Sequence, residues 1–418
     1  MSQMIEKNRV VITGLGAVTP GGIGVKDTWE SLIAGRSSVH TITRFDASDL
    51  PTQFAAEVTN FDPADYMDFR AAKRTARFAQ FATVATDEAI RNAALDLSNE
   101  DMSRVGIEMG TAIGGVNIVE EQAVVFHEKG YRRVNPTLIP IILANSGACT
   151  IAINLGIKGP TQSPVAACAT GVVSIGHALR YLQSGEVDVM LAGGSEAATS
   201  PLALATFSRV GVLSTRNDAP EQACRPFDAQ RDGTVMGEGA AMVVLETLEH
   251  AQRRGAPILA EVLGYSLTED AYHISAPDPS GDGAARAMTL ALKDAGVPPD
   301  EIDYVVPHGT GTQLNDAAET TAMKISFGEA AYRVAISSNK SMLGHMLGAA
   351  GAISAVVAVQ ALCEGLLPPT INLDYPDPHC DLDYVPNKAR QANVQTAMVN
   401  AFGFGGQNAS LIIREVKA

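Results

Sequence analysis

Two segments far apart in the chain share one pattern, and that pattern limits the possible fold more than any other feature. The segment QSPVAACATGVVSIGHALRYLQSG runs from a strand-like stretch through small residues into a helix whose apolar residues recur at helical spacing. The segment VAISSNKSMLGHMLGAAGAISAVVAVQALCEG repeats this order in the second half. Each segment brings a residue with a reactive side chain to the start of its helix, Cys168 in the first segment and His345 in the second. We therefore predict a duplicated core, with halves at residues 1–257 and 258–418.

Short apolar runs alternate with helical patterns along the whole chain. Runs such as VDVMLAGG and IDYVVPH are typical of strands buried on both faces. The alternation predicts an α/β fold with helices against mostly parallel sheets. Residues 346–363 form 18 consecutive uncharged positions, which is the length of a membrane helix. Because the run is mostly Ala, Gly and Val, we predict a helix at the centre of the fold and no membrane insertion.

The charge balance excludes some classes of function. The chain has 31 Lys and Arg against 46 Asp and Glu, a net charge of −15, which argues against a nucleic-acid-binding protein. Its five cysteines are an odd number without a CxxC pair, so neither a disulfide framework nor a zinc site is expected. The first residues, MSQMIEKNRV, do not have the pattern of a signal peptide. We expect a cytoplasmic protein.

Cys168 is the candidate nucleophile. It lies in VAACATGVV just before the first apolar helix, where the helix dipole and free N–H groups are expected to lower the thiol pKa and to hold an oxyanion. The alternative is an inert buried cysteine. The small neighbours Ala166, Ala167, Ala169 and Gly171 favour the first interpretation because they leave room for a substrate.

His308 and the residues after it form a second candidate site. His308 follows the buried run YVVP, and the carboxyl ends of strands are where α/β sheets bind ligands. Thr310 and Thr312 offer hydroxyls that bind an amide-containing ligand or only form a turn. Asp316 and Glu319 have the spacing of a capping box, which competes with a catalytic role for them.

Two further segments carry candidate residues. Lys340 lies five residues before His345 in a polar loop, where it is either an ordinary solvated lysine or a group that tunes the histidine. AFGFGGQN near the end has three glycines around Phe402 and Phe404, which suits a loop that packs and moves.

A series of motifs follows along the full chain: VVITGLGAVTP, ACATG, LSTRND, RPFDAQRDG, EGAAMVVLE, HGTGT, NKSMLGHMLGAAG, PPTINLDYPD and NAFGFGGQN. In this order they closely resemble those of the elongating β-ketoacyl-acyl-carrier-protein synthases, the condensing enzymes of fatty-acid synthesis in the thiolase superfamily. The resemblance implies a five-layered αβαβα sandwich from two similar halves, and a homodimer. It implies condensation of a Cys-bound acyl group with malonyl-acyl carrier protein, which gives a 3-oxoacyl product and CO2.

The resemblance also implies roles for individual residues. Cys168 would accept the acyl group, with His308 and His345 as two neutral donors to the enolate left by decarboxylation. Lys340 would be the active-site lysine and Glu319 its acidic partner. The remaining roles are these: Phe404 as a gating residue whose N–H joins that of Cys168 in the oxyanion hole, Thr310 and Thr312 on the phosphopantetheine arm, and Ile113 and Phe207 in the acyl pocket. No metal or redox cofactor is expected.

An acidic carrier protein needs a positive patch on an enzyme of net charge −15. Arg70, Lys73, Arg74 and Arg77 recur at steps of three and four residues, which predicts one basic helix face. Arg132 and Arg133 form a second cluster. Both fall where the family is expected to contact its carrier, although a solvated helix face would look the same.

Several alternatives remain at this point. A thiolase would need a second catalytic cysteine, which GFGGQN lacks, and a starter-unit synthase would have Asn in place of one histidine. A non-catalytic chain-length partner is disfavoured because Cys168 is present. Seven residues depart from the family motifs: Gly311, Gln313, Asn315, Gln407, Asn339, Ala203 and Ala205. These substitutions leave chain length open, along with the choice between fatty-acid and specialised polyketide or polyene pathways.

Overall fold

The computed structural model describes residues 7–416. Part of the amino-terminal stretch used to argue against a signal peptide therefore lies outside the described residues. Ten strands form the main sheet, joined by a short strand, Gly22–Ile23, beside the first. They are β1 Val10–Thr19, β2 Val105–Gly110, β3 Thr161–Gln162, β4 Val189–Glu196, β5 Gly239–Thr247, β6 Ala260–Glu269, β7 Tyr304–Val306, β8 Ala335–Ile336, β9 Thr396–Gly403 and β10 Gln407–Arg414.

The sheet consists of two sets of five strands with the same order. The first set runs β3-β2-β4-β5-β1 and the second runs β8-β7-β9-β10-β6. In each set the first three strands are parallel and the last two are antiparallel to their neighbours. The sets meet where β1 pairs with β6, at Val11–Glu261 and Ile12–Ala260. Two similar halves are thus confirmed, while the boundary after residue 257 stays a prediction.

The prediction of mostly parallel sheets is wrong, because the sheet is mixed. The last strand of each half returns beside its predecessor, most directly where β9 turns into β10 through residues 404–406. A turn this short can join only antiparallel strands. The segment AFGFGGQN, predicted as a loop, contains this turn and the ends of both strands.

The described residues also form thirteen α-helices. They are α1 Val25–Ile33, α2 Phe69–Ala72, α3 Arg77–Asn92, α4 Val116–Lys129, α5 Leu138–Ile142, α6 Ser146–Leu155, α7 Thr170–Gln183, α8 Pro201–Val210, α9 Leu248–Arg254, α10 Asp282–Ala295, α11 Gln313–Phe327, α12 Lys340–Leu343 and α13 Ala350–Glu364. Helices α3 and α6 cover the outer face of the first set of strands, and α10 and α11 cover that of the second. Helices α7 and α13 lie between the two sets. This is the five-layered αβαβα arrangement that the sequence implies.

The two central helices approach closely because their contact is made of small residues. A Cβ added at Gly171 would come within 2.4 Å of the Ala352 nitrogen, and one at Gly351 within 2.7 Å of the Val172 nitrogen. The apolar window Leu347–Glu364 has the length and composition of a membrane span, but 83% of it is buried inside the fold. This stretch is the central helix that the sequence predicts.

Candidate active site

One cavity of about 500 Å³ lies where both central helices begin. Cys168, His308 and His345 all line it, together with Phe207 and Phe404. Much of the remaining wall is apolar and comes from Val210, Val212, Leu213, Met236 and Leu347. The structure therefore brings residues from both halves of the chain to one site.

Cys168 lies in a 3-10 turn, Ala167–Ala169, directly before α7. Ala167 has φ 46°, a left-handed conformation that costs energy for a residue with a Cβ. The hydroxyl of Thr170 stabilises this turn, since it accepts from the Ala166 N–H at 2.9 Å and donates to the Ala167 carbonyl at 2.7 Å. Leu347, with φ 44°, takes the same conformation in the turn before α13. The two halves thus share the device that begins each central helix.

The Cys168 thiol is neutral at rest. Burial raises the pKa of Cys168 to about 12, although Lys340 and the backbone N–H groups of Phe404 and Cys168 favour the thiolate. The expectation that the helix terminus lowers this pKa is wrong, because the cost of desolvating the anion exceeds those attractions.

The end of β9 lies against the turn that carries Cys168. A Cβ added at Gly403 would come within 2.7 Å of the Ala166 carbonyl oxygen and 3.2 Å of the Cys168 nitrogen, so only glycine allows this approach. The contact brings the N–H of Phe404 beside the N–H of Cys168 at the sulfur atom. Two N–H donors at one point are the arrangement that stabilises an oxyanion.

The two histidine rings lie next to each other in the cavity wall, with the edge of one toward the face of the other. Their ring centroids lie 5.3 Å apart at an interplanar angle of 83°. Burial, and then the charge of Lys340, lowers the pKa of both His308 and His345 well below the usual value of 6.5. Both rings are therefore neutral, and within residues 7–416 the Nδ1 atom of each is buried without a hydrogen-bond partner.

Two carboxylates of α11 hold the backbone that carries His308. Glu319 accepts from the N–H groups of His308 and Gly309, both at 2.7 Å. Asp316 accepts from the N–H groups of Thr310 at 3.1 Å and Gly311 at 3.1–3.2 Å. Every N–H from residue 308 to residue 311 thus meets a carboxylate.

The capping-box interpretation of Asp316 and Glu319 is wrong. The N-cap of α11 is Thr312, whose hydroxyl accepts from the Asn315 N–H, so both acids lie inside the helix. Thr312 also meets Thr310, with hydroxyl oxygens 3.0 Å apart, and both threonines line the cavity.

Lys340 is buried at the first position of α12. Burial lowers the pKa of Lys340 and raises that of Glu319, so each is pushed toward its neutral form. Glu319 acts on Lys340 through Coulomb attraction, while its two oxygens accept from the backbone N–H groups of His308 and Gly309. Lys340 and Glu319 are thus coupled through their charges, and the role of the pair in the reaction stays a prediction.

The chain matches two family models that together span most of its length. Residues 7–251 match the beta-ketoacyl synthase N-terminal domain, and residues 259–374 match the beta-ketoacyl synthase C-terminal domain. The chain belongs to the beta-ketoacyl synthase family.

Curated relatives of this synthase cover nearly the whole chain. It is 47% identical over 412 residues to the 3-oxoacyl-[acyl-carrier-protein] synthase 2 of Coxiella burnetii, covering 99% of this chain and 100% of that protein. It is 48% identical over 411 residues to the protein of the same name from Synechocystis, covering 98% and 99%.

Solved structures of ketosynthases have the same fold. The ishigamide ketosynthase/chain length factor superposes with a TM-score of 0.93 at 38% identity, covering 98% of this chain and 100% of that one. A type II PKS ketosynthase, solved in complex with its acyl-carrier protein, superposes with a TM-score of 0.91 at 33% identity and the same coverage.

The two residues expected in the acyl pocket of the synthase lie in different places. Phe207 stacks on Phe404 with ring centroids 6.1 Å apart, and both line the cavity. Ile113 does not line it, and its side chain is 39% exposed. Its loop is held from the other side by Glu196, which accepts from the Thr111 hydroxyl and the Ala112 N–H, both at 2.8 Å.

The predicted basic helix face of the synthase is wrong. Helix α2 ends before Lys73 and α3 begins at Arg77, because the amide of Gln80 binds the carbonyls of Ala72 and Thr75 and ends the first helix. Lys73 and Arg74 are exposed between the two helices.

Arg77 does not belong to the exposed cluster. Its guanidinium donates to Glu238 at 2.8 Å and to the Val58 carbonyl at 2.7 Å, and it lies 4.5 Å from the centroid of the Phe81 ring. Arg77 therefore forms a structural ion pair with Glu238 and does not serve as a docking residue. Arg132 and Arg133 are exposed in the 3-10 turn that follows α4.

Sequence reasoning missed two buried charges beside the site. Glu196 accepts from the Gly348 N–H at 3.2 Å as well as from the Ile113 loop, and it raises the pKa of Cys168. Arg231 donates to the carbonyls of Thr312 at 3.2 Å and Gln313 at 3.1 Å, which ties the first half of the chain to the start of α11. The signal for Glu196 was a single acid at the end of the apolar run VMLAGGSE.

Proposed function

We propose that this beta-ketoacyl synthase catalyses decarboxylative Claisen condensation in fatty-acid chain elongation. It joins an acyl group carried on Cys168 to malonyl-acyl carrier protein and yields 3-oxoacyl-acyl carrier protein, CO2 and free carrier protein. The observation that carries the proposal is one cavity lined by a thiol, two neutral imidazoles and an apolar wall. The names of the relatives, at 47% and 48% identity, support the same reaction.

Acyl transfer begins at the buried thiol. As Cys168 Sγ attacks the thioester carbonyl, a neutral imidazole takes the thiol proton and returns it to the departing carrier sulfur. Proton transfer during attack suits a thiol whose pKa is raised to about 12, because a free thiolate need not form first. The N–H groups of Cys168 and Phe404 bind the oxyanion.

Decarboxylation then uses the two imidazoles as donors. The carbon–carbon bond to the malonyl carboxylate breaks, CO2 leaves, and the electron pair passes to the thioester as an enolate. Since Nδ1 of each ring is buried without a partner, the ring proton is better used on Nε2, where it can meet the enolate oxygen. The enolate carbon attacks the acyl-Cys carbonyl, and the Cys168 sulfur departs as a thiolate. This thiolate takes up one proton from water, because its first proton left with the carrier thiol.

The alternatives weighed from the sequence have less support. A specialised polyketide ketosynthase uses the same chemistry, but the solved structures of that kind are 33% and 38% identical to this chain. A non-catalytic chain-length subunit has no need for a nucleophile held beside two N–H donors.

Replacing the nucleophile tests this function. We expect Cys168→Ala to abolish 3-oxoacyl product and to retain malonyl decarboxylation, because the imidazoles remain. Cys149→Ala on α6 is the matched control and should keep both activities. Substrates of graded acyl length, assayed on carrier protein, give the chain-length preference. Product formation by Cys168→Ala would overturn the proposal.

We also propose an acyl carrier protein as partner, with Lys73, Arg74, Arg132 and Arg133 as its docking residues. All four are exposed, and their charge complements an acidic carrier. The phosphopantetheine arm is proposed to pass Thr310 and Thr312, whose hydroxyls lie in the cavity wall. The substrates arrive on that arm, and the proposed steps use no resident cofactor. Five unpaired cysteines support a reducing compartment, for which we propose the cytoplasm.

We propose that the enzyme is a homodimer. Strand β3 is an edge of the sheet, and large apolar side chains are exposed on the helices beside it and just after it, with Ile153 at 80%. The others are Phe126, Ile139, Leu143 and Val165. Sedimentation should give twice the chain mass of 43.8 kDa, and Ile153→Asp should shift it toward the monomer. A wild-type monomer at micromolar concentration would contradict this.

A further inference from the structure

Glu196, the last residue of β4, is a buried acid to which the proposed reaction gives no role. Its side chain is fully buried, and it does not line the cavity at Cys168. Its carboxylate accepts from the Thr111 hydroxyl and the Ala112 N–H, both at 2.8 Å, and from the Gly348 N–H at 3.2 Å. These donors offset the cost of taking the carboxylate out of water. Any effect of Glu196 on the reaction therefore passes through the groups that it holds.

The donors belong to two segments that are far apart in the sequence. Thr111 and Ala112 begin the loop of residues 111–115, which follows β2, and Gly348 lies in the turn before α13. A Cβ added at Gly348 would come within 2.4 Å of the Ala112 nitrogen and 3.0 Å of a Glu196 oxygen, so only glycine lets the loop lie directly on the turn. We call Glu196 with Thr111, Ala112 and Gly348 the Glu196 clamp.

The clamp also fixes the shape of the loop. The Thr111 hydroxyl donates to Glu196 and accepts from the Gly114 N–H at 3.1 Å. Gly114 has φ 72°, so the chain turns sharply at that point. One hydroxyl thus connects the buried carboxylate to the turn of the loop.

The clamped loop lies behind the apolar end of the cavity. Leu347, the neighbour of Gly348, and Phe207 line the cavity beside Cys168. Ala112 in the loop and Val116 directly after it pack against the apolar cluster that contains Cys168 and Leu347. An acyl group on Cys168 lies against this wall, and a chain too long for the cavity fits only if the wall moves back.

We propose that Glu196 is a positioning residue for acyl-chain selection: its clamp holds the loop of residues 111–115 against the start of α13 and limits the length of chain that Cys168 accepts. The inference rests on the proposed function, because it takes the occupant of the wall to be an acyl group carried on Cys168. Glu196 itself touches no substrate and acts through the loop and through Gly348.

The experiment compares single-turnover acylation of Cys168 by hexanoyl-carrier and by dodecanoyl-carrier in the full-length enzyme. Burial raises the pKa of Glu196 to about 7, so pH 8 keeps its carboxylate ionised. Thr111→Val removes one clamp hydroxyl and leaves the buried carboxylate in place. We expect the dodecanoyl-to-hexanoyl rate ratio to rise at least about threefold, the scale of one hydrogen bond. A general loss of folded enzyme would lower both rates together and leave the ratio unchanged.

Two further variants of Glu196 separate the clamp from the charge. Glu196→Leu removes every acceptor and should raise the ratio further than Thr111→Val does. Glu196→Gln should stay close to the wild-type ratio, because its amide oxygen can accept from the N–H groups of Ala112 and Gly348 while its NH2 group donates to the Thr111 hydroxyl. Thr111→Val decides the question if Glu196→Leu does not fold.

Thr199→Val is the matched control. It makes the same substitution three residues after Glu196, where the hydroxyl is buried without a hydrogen-bond partner among residues 7–416. Its ratio should equal that of wild type. An unchanged ratio in Thr111→Val, or an equal rise in Thr199→Val, would overturn the inference and leave the condensation reaction intact. A wild-type enzyme that forms no acyl-Cys168 with either chain would instead overturn the proposed function, and the inference with it.

Discussion

At the scale of single residues, the site depends on keeping its acid–base groups neutral. Burial raises the pKa of Cys168 to about 12 and lowers the pKa of His308 and His345 well below 6.5. A neutral imidazole can accept the thiol proton in one step and donate an N–H to an enolate in another. Lys340 disfavours protonation of both rings through its charge.

This electrostatic arrangement predicts the pH profile of acyl transfer. A histidine whose pKa is lowered stays neutral as the pH falls through 6.5, so it still accepts the thiol proton. Single-turnover acylation of Cys168 should therefore keep its rate from pH 8 to pH 6. A loss of rate with a midpoint near 6.5 would mean that the imidazoles behave as ordinary exposed groups.

Gly403 sets the position of the Phe404 N–H, which we propose as the second oxyanion donor. A methyl group there would meet the Ala166 carbonyl at 2.7 Å and push the Phe404 N–H away from the sulfur. We expect Gly403→Ala to slow acylation by about 100-fold, the typical effect of losing one oxyanion donor. The rate of acylation is measured in single-turnover acyl-transfer assays, and the thermal midpoint of the variant checks its folding. A rate within twofold of wild type would show that the Phe404 N–H is dispensable.

At the scale of secondary-structure elements, two turns and one helix organise the cavity. The turns before α7 and α13 share the left-handed residue that begins each central helix, and α11 clamps residues 308–311 with two carboxylates. Arg231 reaches from the other half of the chain to the first carbonyls of that helix. The loop that carries His308 and the start of α11 thus depend on contacts made by both halves.

Sequence periodicity could predict the central helices but not these clamps. The apolar run of α13 and the spacing of α7 indicated buried helices because every side of such a helix contacts protein. The spacing of Asp316 and Glu319 indicated a cap, since local spacing cannot reveal that a helix carboxylate reaches back to a preceding loop. The rise in the Cys168 pKa was hidden for a similar reason: desolvation depends on the whole cavity.

At the scale of the whole molecule, the duplication explains the position of the site. Two similar sequence segments suggested the duplication. The strand orders β3-β2-β4-β5-β1 and β8-β7-β9-β10-β6 show it, because the two sets have the same arrangement. The spacing of the basic residues predicted one continuous helix face, and this prediction is wrong. Spacing could not reveal that the Gln80 amide donates to carbonyls between two separate helices, or that the Arg77 side chain turns inward to Glu238. The exposed part of the patch is Arg70, Lys73 and Arg74.

That exposed patch leads to a prediction about the carrier. Reversing charge with Lys73→Glu and Arg74→Glu should raise KM for carrier-linked substrates at least fivefold and leave small pantetheine thioesters unaffected. The reason is that surface charges act on association of the acidic partner. Lys26→Glu on α1, an exposed lysine outside both basic clusters, is the control and should change neither KM. Equal losses on both kinds of substrate would contradict docking at this patch.

Mapping the acyl group by mass spectrometry tests the nucleophile most directly. Enzyme mixed with an acyl-carrier thioester, without malonyl substrate, should gain one acyl group on the peptide that contains Cys168. That group should disappear when malonyl-carrier is added and 3-oxoacyl product forms. Acylation at Cys149, Cys224, Cys363 or Cys380 instead, or turnover without any acyl-enzyme, would contradict the assignment of Cys168.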